Sequence, residues 1–333
     1  MELCVKVVTE GILKELTKNN PNKNVVMSPA SMNIVLNMAA SGSAGKTLDQ
    51  FLGSLGSETI TELSSKSSSL MGLFDLNTAA DPDPDYTDSE YSAPPELSLV
   101  NLMFVDQQYP LKPSFQEIVR DIYKTEPKRI NFDQSSSLMG LFDLNTAADP
   151  DPDYTDSEYS APPELSLVNL MFVDQGVDYS RILRLSDSII IPVDVTVTTT
   201  HVSDFKLEDM LVTEIWIPKW KFSYGLDMVK LVKKLGLTLP FNYPDADFTE
   251  AMDSPDAEEI FISKMLHKAC ISVNEEGTEG ASIVSCDENL GCSMYPPPEI
   301  QFVADHPFMF MIKEKGSGAV IFTGAVLNPL SDI

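Results

Sequence analysis

Residues 67–107 recur without a single change as residues 135–175. A fold for this chain must therefore place the same 41 residues twice, 68 positions apart, or leave one copy outside its core. Each copy holds six Asp, two Glu and no Lys or Arg, so the pair supplies −16 of the net charge of −27. Solenoid repeats diverge because each one packs on different neighbours. Perfect identity points instead to a recent duplication, or to an error in assembling the gene. Inside each copy the run Asp81-Pro82-Asp83-Pro84-Asp85, or its twin, is acidic, punctuated by proline and poor in residues to bury, which reads as disordered linker. Each copy closes on a strong strand pattern, Leu97-Ser98-Leu99-Val100-Asn101-Leu102-Met103-Phe104-Val105 or its twin. After the first copy, Phe115, Ile118, Val119, Ile122 and Tyr123 fall at helical spacing.

The acidity argues against nucleic acid as a partner, since phosphate binding needs clustered Lys and Arg. No run of 18 apolar residues occurs, so no membrane span is expected. The segment Met1-Glu2-Leu3-Cys4-Val5 lacks the basic start and apolar core of a secretory signal, which places the chain in the cytoplasm by sequence. Cys4, Cys270, Cys286 and Cys292 are widely spaced and form no framework, so free thiols are expected.

The remainder reads as mixed α and β. Val5, Val8, Ile12 and Leu16 mark one face of an N-terminal helix. Ser28 or Ser31 is placed to cap the next helix, which runs through Ile34, Val35 and Met38. Leu226, Val229, Val232 and Leu235 give another, stopped by Gly236. Strands are expected at residues 188–197, 213–222, 260–264, 269–274, 300–303, 308–312 and 319–326.

One late segment is unusual. If residues 275–284 and their continuation extended, Thr278, Gly280, Ser282, Val284 and Cys286 would share one face, all small or uncharged. No proline interrupts the run between Glu276 and Tyr295, so no backbone donor is missing that would bar it from a sheet. Loops ordinarily keep their polar backbone wet at the surface; this one is written so that it can be buried.

That run resembles the hinge and reactive loop of the serpins, the strand-inserting protease inhibitors. Further segments resemble the family in order: Asn24 to Met32, Ala40 to Gln50, Asn101 to Val105, Phe115 to Tyr123, Ile217 to Phe222, Leu226 to Gly236, His267-Lys268-Ala269, Phe302 to Phe308 and Phe322 to Val326. Together they cover about two thirds of the chain, and the wording is most similar to the plant branch. The resemblance implies an α+β fold over residues 1–333 as a single domain. Helices would pack on a large mixed sheet, with a C-terminal hairpin and an exposed reactive loop. The match of Asn101 to Val105 and the helix after it puts the first copy of the repeat in the sheet and the second outside it. No segment resembles the family's Asn-containing central strand, so the centre of the fold reads as partly missing.

The resemblance also implies function. Glu276, Gly277, Thr278, Glu279, Gly280 and Ala281 would be the hinge. Ser28, Ser31 and His267 would form the shutter, hydrogen-bonding beneath the sheet as it opens; the reading from residues alone is a helix cap and a satisfied core histidine. Family loop length puts the reactive bond at Gly291-Cys292, and a shorter downstream spacing moves it to Met294-Tyr295. Leu290 or Met294 would then address chymotrypsin-like or papain-like enzymes. No basic residue lies between Glu279 and Glu299, so trypsin-like targets are not expected. The implied protein is a monomeric inhibitor of serine or papain-like cysteine endopeptidases that needs no cofactor or metal. The alternative is a serpin that has lost inhibition and acts as a binding module or has no activity. The same family is also found in the extracellular space.

Enzyme readings are weaker. Three histidines (His201, His267, His306) and no Gly-x-Ser-x-Gly elbow argue against a hydrolase. Ala40 to Thr47 is one residue short of a phosphate-binding loop but follows a helix pattern in place of a strand. The Asp-Pro-Asp-Pro-Asp runs lack the central Gly and closing Glu of a calcium loop.

Overall fold

The computed structural model describes residues 1–17, 23–75, 96–131, 164–174, 189–192, 214–254, 260–273, 301–314 and 317–331. Helix α1 (Glu2–Thr17) buries Leu3, Cys4, Val7, Val8 and Ile12. Two adjacent rows at 3.6 spacing make this stripe, so its centre lies nearer Cys4 and Val7 than the sequence pattern implied, and Val5 is half-buried. After β1 (Val25–Met27), helix α2 (Pro29–Ala40) is buried along its whole length. Ser28 caps it: its Oγ accepts from Ser31 N at 3.1 Å, and Pro29 occupies the first turn, where an N–H would be unpaired anyway. Helix α3 (Gly45–Leu55) turns Thr47, Phe51 and Leu55 inward and stops at Gly56, whose φ of 67° suits glycine.

Helix α4 (Ile60–Asp75) contains the start of the first repeat copy. Ser67, its first residue, is fully buried in a polar thread through the helical layer. Asn37 Nδ2 donates to Asn33 Oδ1 at 3.1 Å and to Ser67 Oγ at 2.8 Å. Tyr123 OH donates to Ser67 Oγ at 3.3 Å and lies 3.2 Å from Ser41 Oγ. Buried polar groups need such partners, and this thread ties the first copy to α2 and to α5 (Pro113–Tyr123).

Among the described residues the principal sheet has five strands in the order β3 (Lys128–Ile130), β2 (Glu96–Asp106), β4 (Glu164–Asp174), β8 (Phe261–Val273) and β7 (Trp220–Asp227). The second copy's strand is therefore central, between β2 and β8, and the expectation that it falls outside the sheet is overturned. Both alternating sets of the shared sequence are mostly apolar: Leu97, Leu99, Met103 and Val105 with Asn101 in one, Val100, Leu102 and Phe104 with Ser98 in the other. Such a strand suits a sheet interior, and either copy satisfies that requirement. In the structure the second copy takes the central position.

A second sheet runs β1, β11 (Val320–Val326), β10 (Phe308–Lys313) and β5 (Ile189–Pro192). Gly324 on β11 pairs with Val26, and a Cβ there would lie 2.4 Å from the Val25 carbonyl oxygen, so the approach requires glycine. Asn24 staples the chain ends: its Oδ1 accepts from Leu327 N (2.8 Å) and Asn328 N (3.0 Å). β6 (Glu214–Trp216) and β9 (Gln301–Val303) form a two-stranded parallel ladder.

Three element boundaries differ from the sequence expectation. The strand expected over 213–222 divides into β6 and β7 around Ile217-Pro218-Lys219, because proline cannot donate to a ladder. The strands expected at 260–264 and 269–274 are one, since Met265, Leu266 and His267 between them are buried and paired. The helix expected from Leu226 shortens to α6 (Val229–Lys234), because β7 pairs with β8 as far as Asp227. Asp227 Oδ1 accepts from Val229 N at 3.1 Å and Met265 N at 3.3 Å, starting the helix and holding it to β8. Gly236, with φ of 102°, follows the helix as expected.

Candidate functional site

Alternate residues of β8 face the core: Met265, His267, Ala269, Ile271 and Val273 are all buried. At the strand's middle, His267 Nε2 accepts a 3.0 Å hydrogen bond from Ser28 N. An accepting Nε2 places the proton of a neutral imidazole on Nδ1, and Nδ1 has no hydrogen-bond partner among the described residues. Burial lowers the His267 pKa to about 4, because the charged form would lose its hydration. Ser28 therefore does two things: its Oγ caps α2 through Ser31 N, and its N–H fixes the imidazole. Of the three predicted shutter residues, Ser28 and His267 meet directly, and Ser31 joins through Ser28.

The register adds residues that sequence reasoning missed. Asn169 on β4 is paired with His267, and Asn101 on β2 is paired with Asn169. Asn101, Asn169 and His267 thus stand at one register position across three strands. The signal was in the repeat itself: Asn169 is the copy of Asn101 and becomes visible once the second copy is tried as the central strand.

The β4–β8 seam is parallel, from Glu164 opposite Phe261 to Phe172 opposite Cys270, with one register shift between Leu165 and Ser166. Among the described residues the other ladders of β4, β7 and β8 are antiparallel. Parallel pairing is slightly weaker per residue. A chain that left the end of β8 and doubled back would run antiparallel to both β8 and β4, so a strand placed in this seam would replace one parallel ladder with two antiparallel ones. β8 ends at Val273, two residues before Glu275. The predicted hinge (Glu276, Gly277, Thr278, Glu279, Gly280, Ala281) and the reactive-loop residues Leu290, Gly291, Cys292 and Met294 lie outside the described residues.

Among the described residues two other sequence candidates can be placed; Cys286, Cys292, His201 and the Asp-Pro runs lie outside them. Cys4 and Cys270 are free thiols, and burial raises both pKa values. The phosphate-loop-like run Ala40 to Thr47 connects α2 to α3, and a Cβ on Gly45 would meet Asp247 Oδ2 at 3.1 Å. A carboxylate beside that turn disfavours an anion.

Comparison with known proteins bears on the whole architecture. The family model described as serpin (serine protease inhibitor) matches residues 7–140 and 159–329. The chain is 28% identical over 382 residues to Serpin-ZX of Arabidopsis thaliana, covering 95% of this chain and 94% of the relative. It is 27% identical over 389 residues to Serpin-Z2A of Triticum aestivum, covering 96% and 94%. Among solved structures it is similar to Arabidopsis AtSerpin1 in its native stressed conformation, with a TM-score of 0.66, 26% identity and 99% of each chain covered.

Proposed function

This chain belongs to the serpin family, described as serine protease inhibitors, and we propose that it traps a serine or papain-like cysteine endopeptidase as a suicide substrate. The observation that carries this reading is the parallel β4–β8 seam, beside which β8 ends at Val273, just before the sequence read as hinge and reactive loop. The target's nucleophile attacks the carbonyl carbon of Gly291, the peptide bond to Cys292 breaks, and the amine of Cys292 leaves. The products are an acyl-enzyme on the new loop end and a new amino terminus at Cys292 on a downstream segment still paired through β10 and β11. The loop then enters the seam from the hinge, Thr278 first, carrying the protease away before water attacks the ester or thioester. Stored strain released by loop rearrangement is an established switching mode. Leu290 and Met294 suit chymotrypsin-like or papain-like specificity, and cleavage at Met294-Tyr295 works by the same steps.

Incubation with a chymotrypsin-like protease is expected to give a covalent, detergent-stable complex. Thr278→Arg drives an unpaired charge into the seam, at a cost of several kcal/mol, and is expected to give cleaved protein without complex. Complex formation undiminished in Thr278→Arg would contradict insertion through this hinge.

A second reading follows from the identity of β4. The strand beside β8 is a repeat of β2. If that substitution holds the seam shut, the protein is a non-inhibitory serpin that binds without trapping, and wild-type protein would be cleaved without any covalent complex.

A further inference from the structure

β2 and β4 are the same eleven residues, Glu-Leu-Ser-Leu-Val-Asn-Leu-Met-Phe-Val-Asp, paired antiparallel from Glu96 opposite Asp174 to Val105 opposite Leu165. Asn101 is paired with Asn169, its own copy, so the pair has a local two-fold axis midway between these two positions, perpendicular to the sheet. Turning the pair about that axis exchanges the strands and changes no residue type at any pairing position or on either face. The outer neighbours obey the same symmetry, since β3 is parallel to β2 and β8 is parallel to β4. Charge does not discriminate between the copies either: the register sets Glu96 against Asp174, an acid against an acid.

The strands differ in how they are tied down. β2 is held locally. Thr125 Oγ1 donates to Asn101 O at 2.6 Å, Gln107 N donates to Ile130 O at 2.8 Å, and α5 begins at Pro113. β4 is separated from β2 by residues 107–163 and from β5 by residues 175–188. Even the shorter connection, residues 175–188, can extend to roughly 50 Å. A strand on long connections, recognised by a template of its own sequence, meets the same two ladder partners, β2 and β8, in any copy of the chain. Natural sheets avoid such ambiguity with distinct neighbouring strands, and exchange of identical elements is a low-cost route to dimers.

We propose that the chain associates with a second copy of itself by exchanging the Glu164–Asp174 strand, so that β4 of each molecule lies between β2 and β8 of the other in the register described here. The exchanged dimer retains every ladder of the monomer and is favoured by concentration. The proposal does not depend on protease inhibition.

The test uses two full-length variants, Asn101→Cys and Asn169→Cys, mixed, partially unfolded, refolded at high concentration and oxidised. Directly opposed positions lie within reach of a disulfide. In an unexchanged molecule each new thiol faces an asparagine. A disulfide mapped by mass spectrometry between position 101 of one chain and position 169 of the other is expected in the mixture and absent from either variant alone. The double variant in one chain, kept dilute, is expected to close the same disulfide internally. Failure of that closure would overturn the register, and closure without any intermolecular product in the mixture would overturn the exchange. Native mass spectrometry of unsubstituted protein, with isotopically labelled and unlabelled chains refolded together, is expected to give dimers of mixed mass. Monomers alone at both masses would overturn the proposal whether or not the cysteine variants fold.

Discussion

A neutral imidazole whose Nε2 accepts from Ser28 N makes His267 a titration sensor for the folded state. Its pKa falls from 6.5 to about 4 on folding, so between those values the unfolded chain binds the proton more readily. This contribution to stability is complete above pH 6.5 and is lost as pH falls toward 4, by on the order of 3 kcal/mol. Asp227 acts in the opposite direction, since burial raises its carboxyl pKa. Comparing the protein with His267→Gln, whose amide oxygen can still accept from Ser28 N, isolates the histidine. Urea midpoints measured from about pH 4 to 7 are expected to rise more steeply for the unsubstituted protein, and equal slopes would contradict the assignment. At this scale the sequence disclosed Ser28 as a cap and His267 as a buried histidine, because each carries a local signature. It did not disclose Asn169 as the residue paired with His267, because that contact depends on which strand lies next to β8.

Local pattern located most strands, and their ends were set by partners. Leu226 has helical spacing with Val229, yet it extends β7 because β8 is there to pair with it. Pro218 divides β6 from β7 by chemistry visible in the sequence. The largest difference is β4. Its sequence reads as a strand in either copy, and no local property states which copy takes the centre. That question has a direct measurement in Val168→Pro. In the central strand this substitution removes a ladder donor and leaves its partner unpaired, at about 1–3 kcal/mol for the orphaned group and more for the ring's clashes. Chemical denaturation is expected to show a loss of several kcal/mol. An unchanged midpoint would put the second copy outside the sheet after all.

Across the whole molecule, the fold class was legible because the resembling segments fall in family order, and the structure arranges them in sheets and helices of the same kind. What could not be read was whether a chain with a repeated block keeps a complete principal sheet. Among the described residues five strands pair, and the register of β4 on β8 puts the second copy's strand inside that sheet. The central claim is that this seam opens to admit the loop. Its most direct test is the thermal unfolding midpoint before and after a single proteolytic cut between Leu290 and Tyr295. Insertion adds a strand with antiparallel ladders on both sides, so the cut protein is expected to unfold at a markedly higher temperature than the intact one. An unchanged or lower midpoint after the cut would show that the seam does not admit the loop.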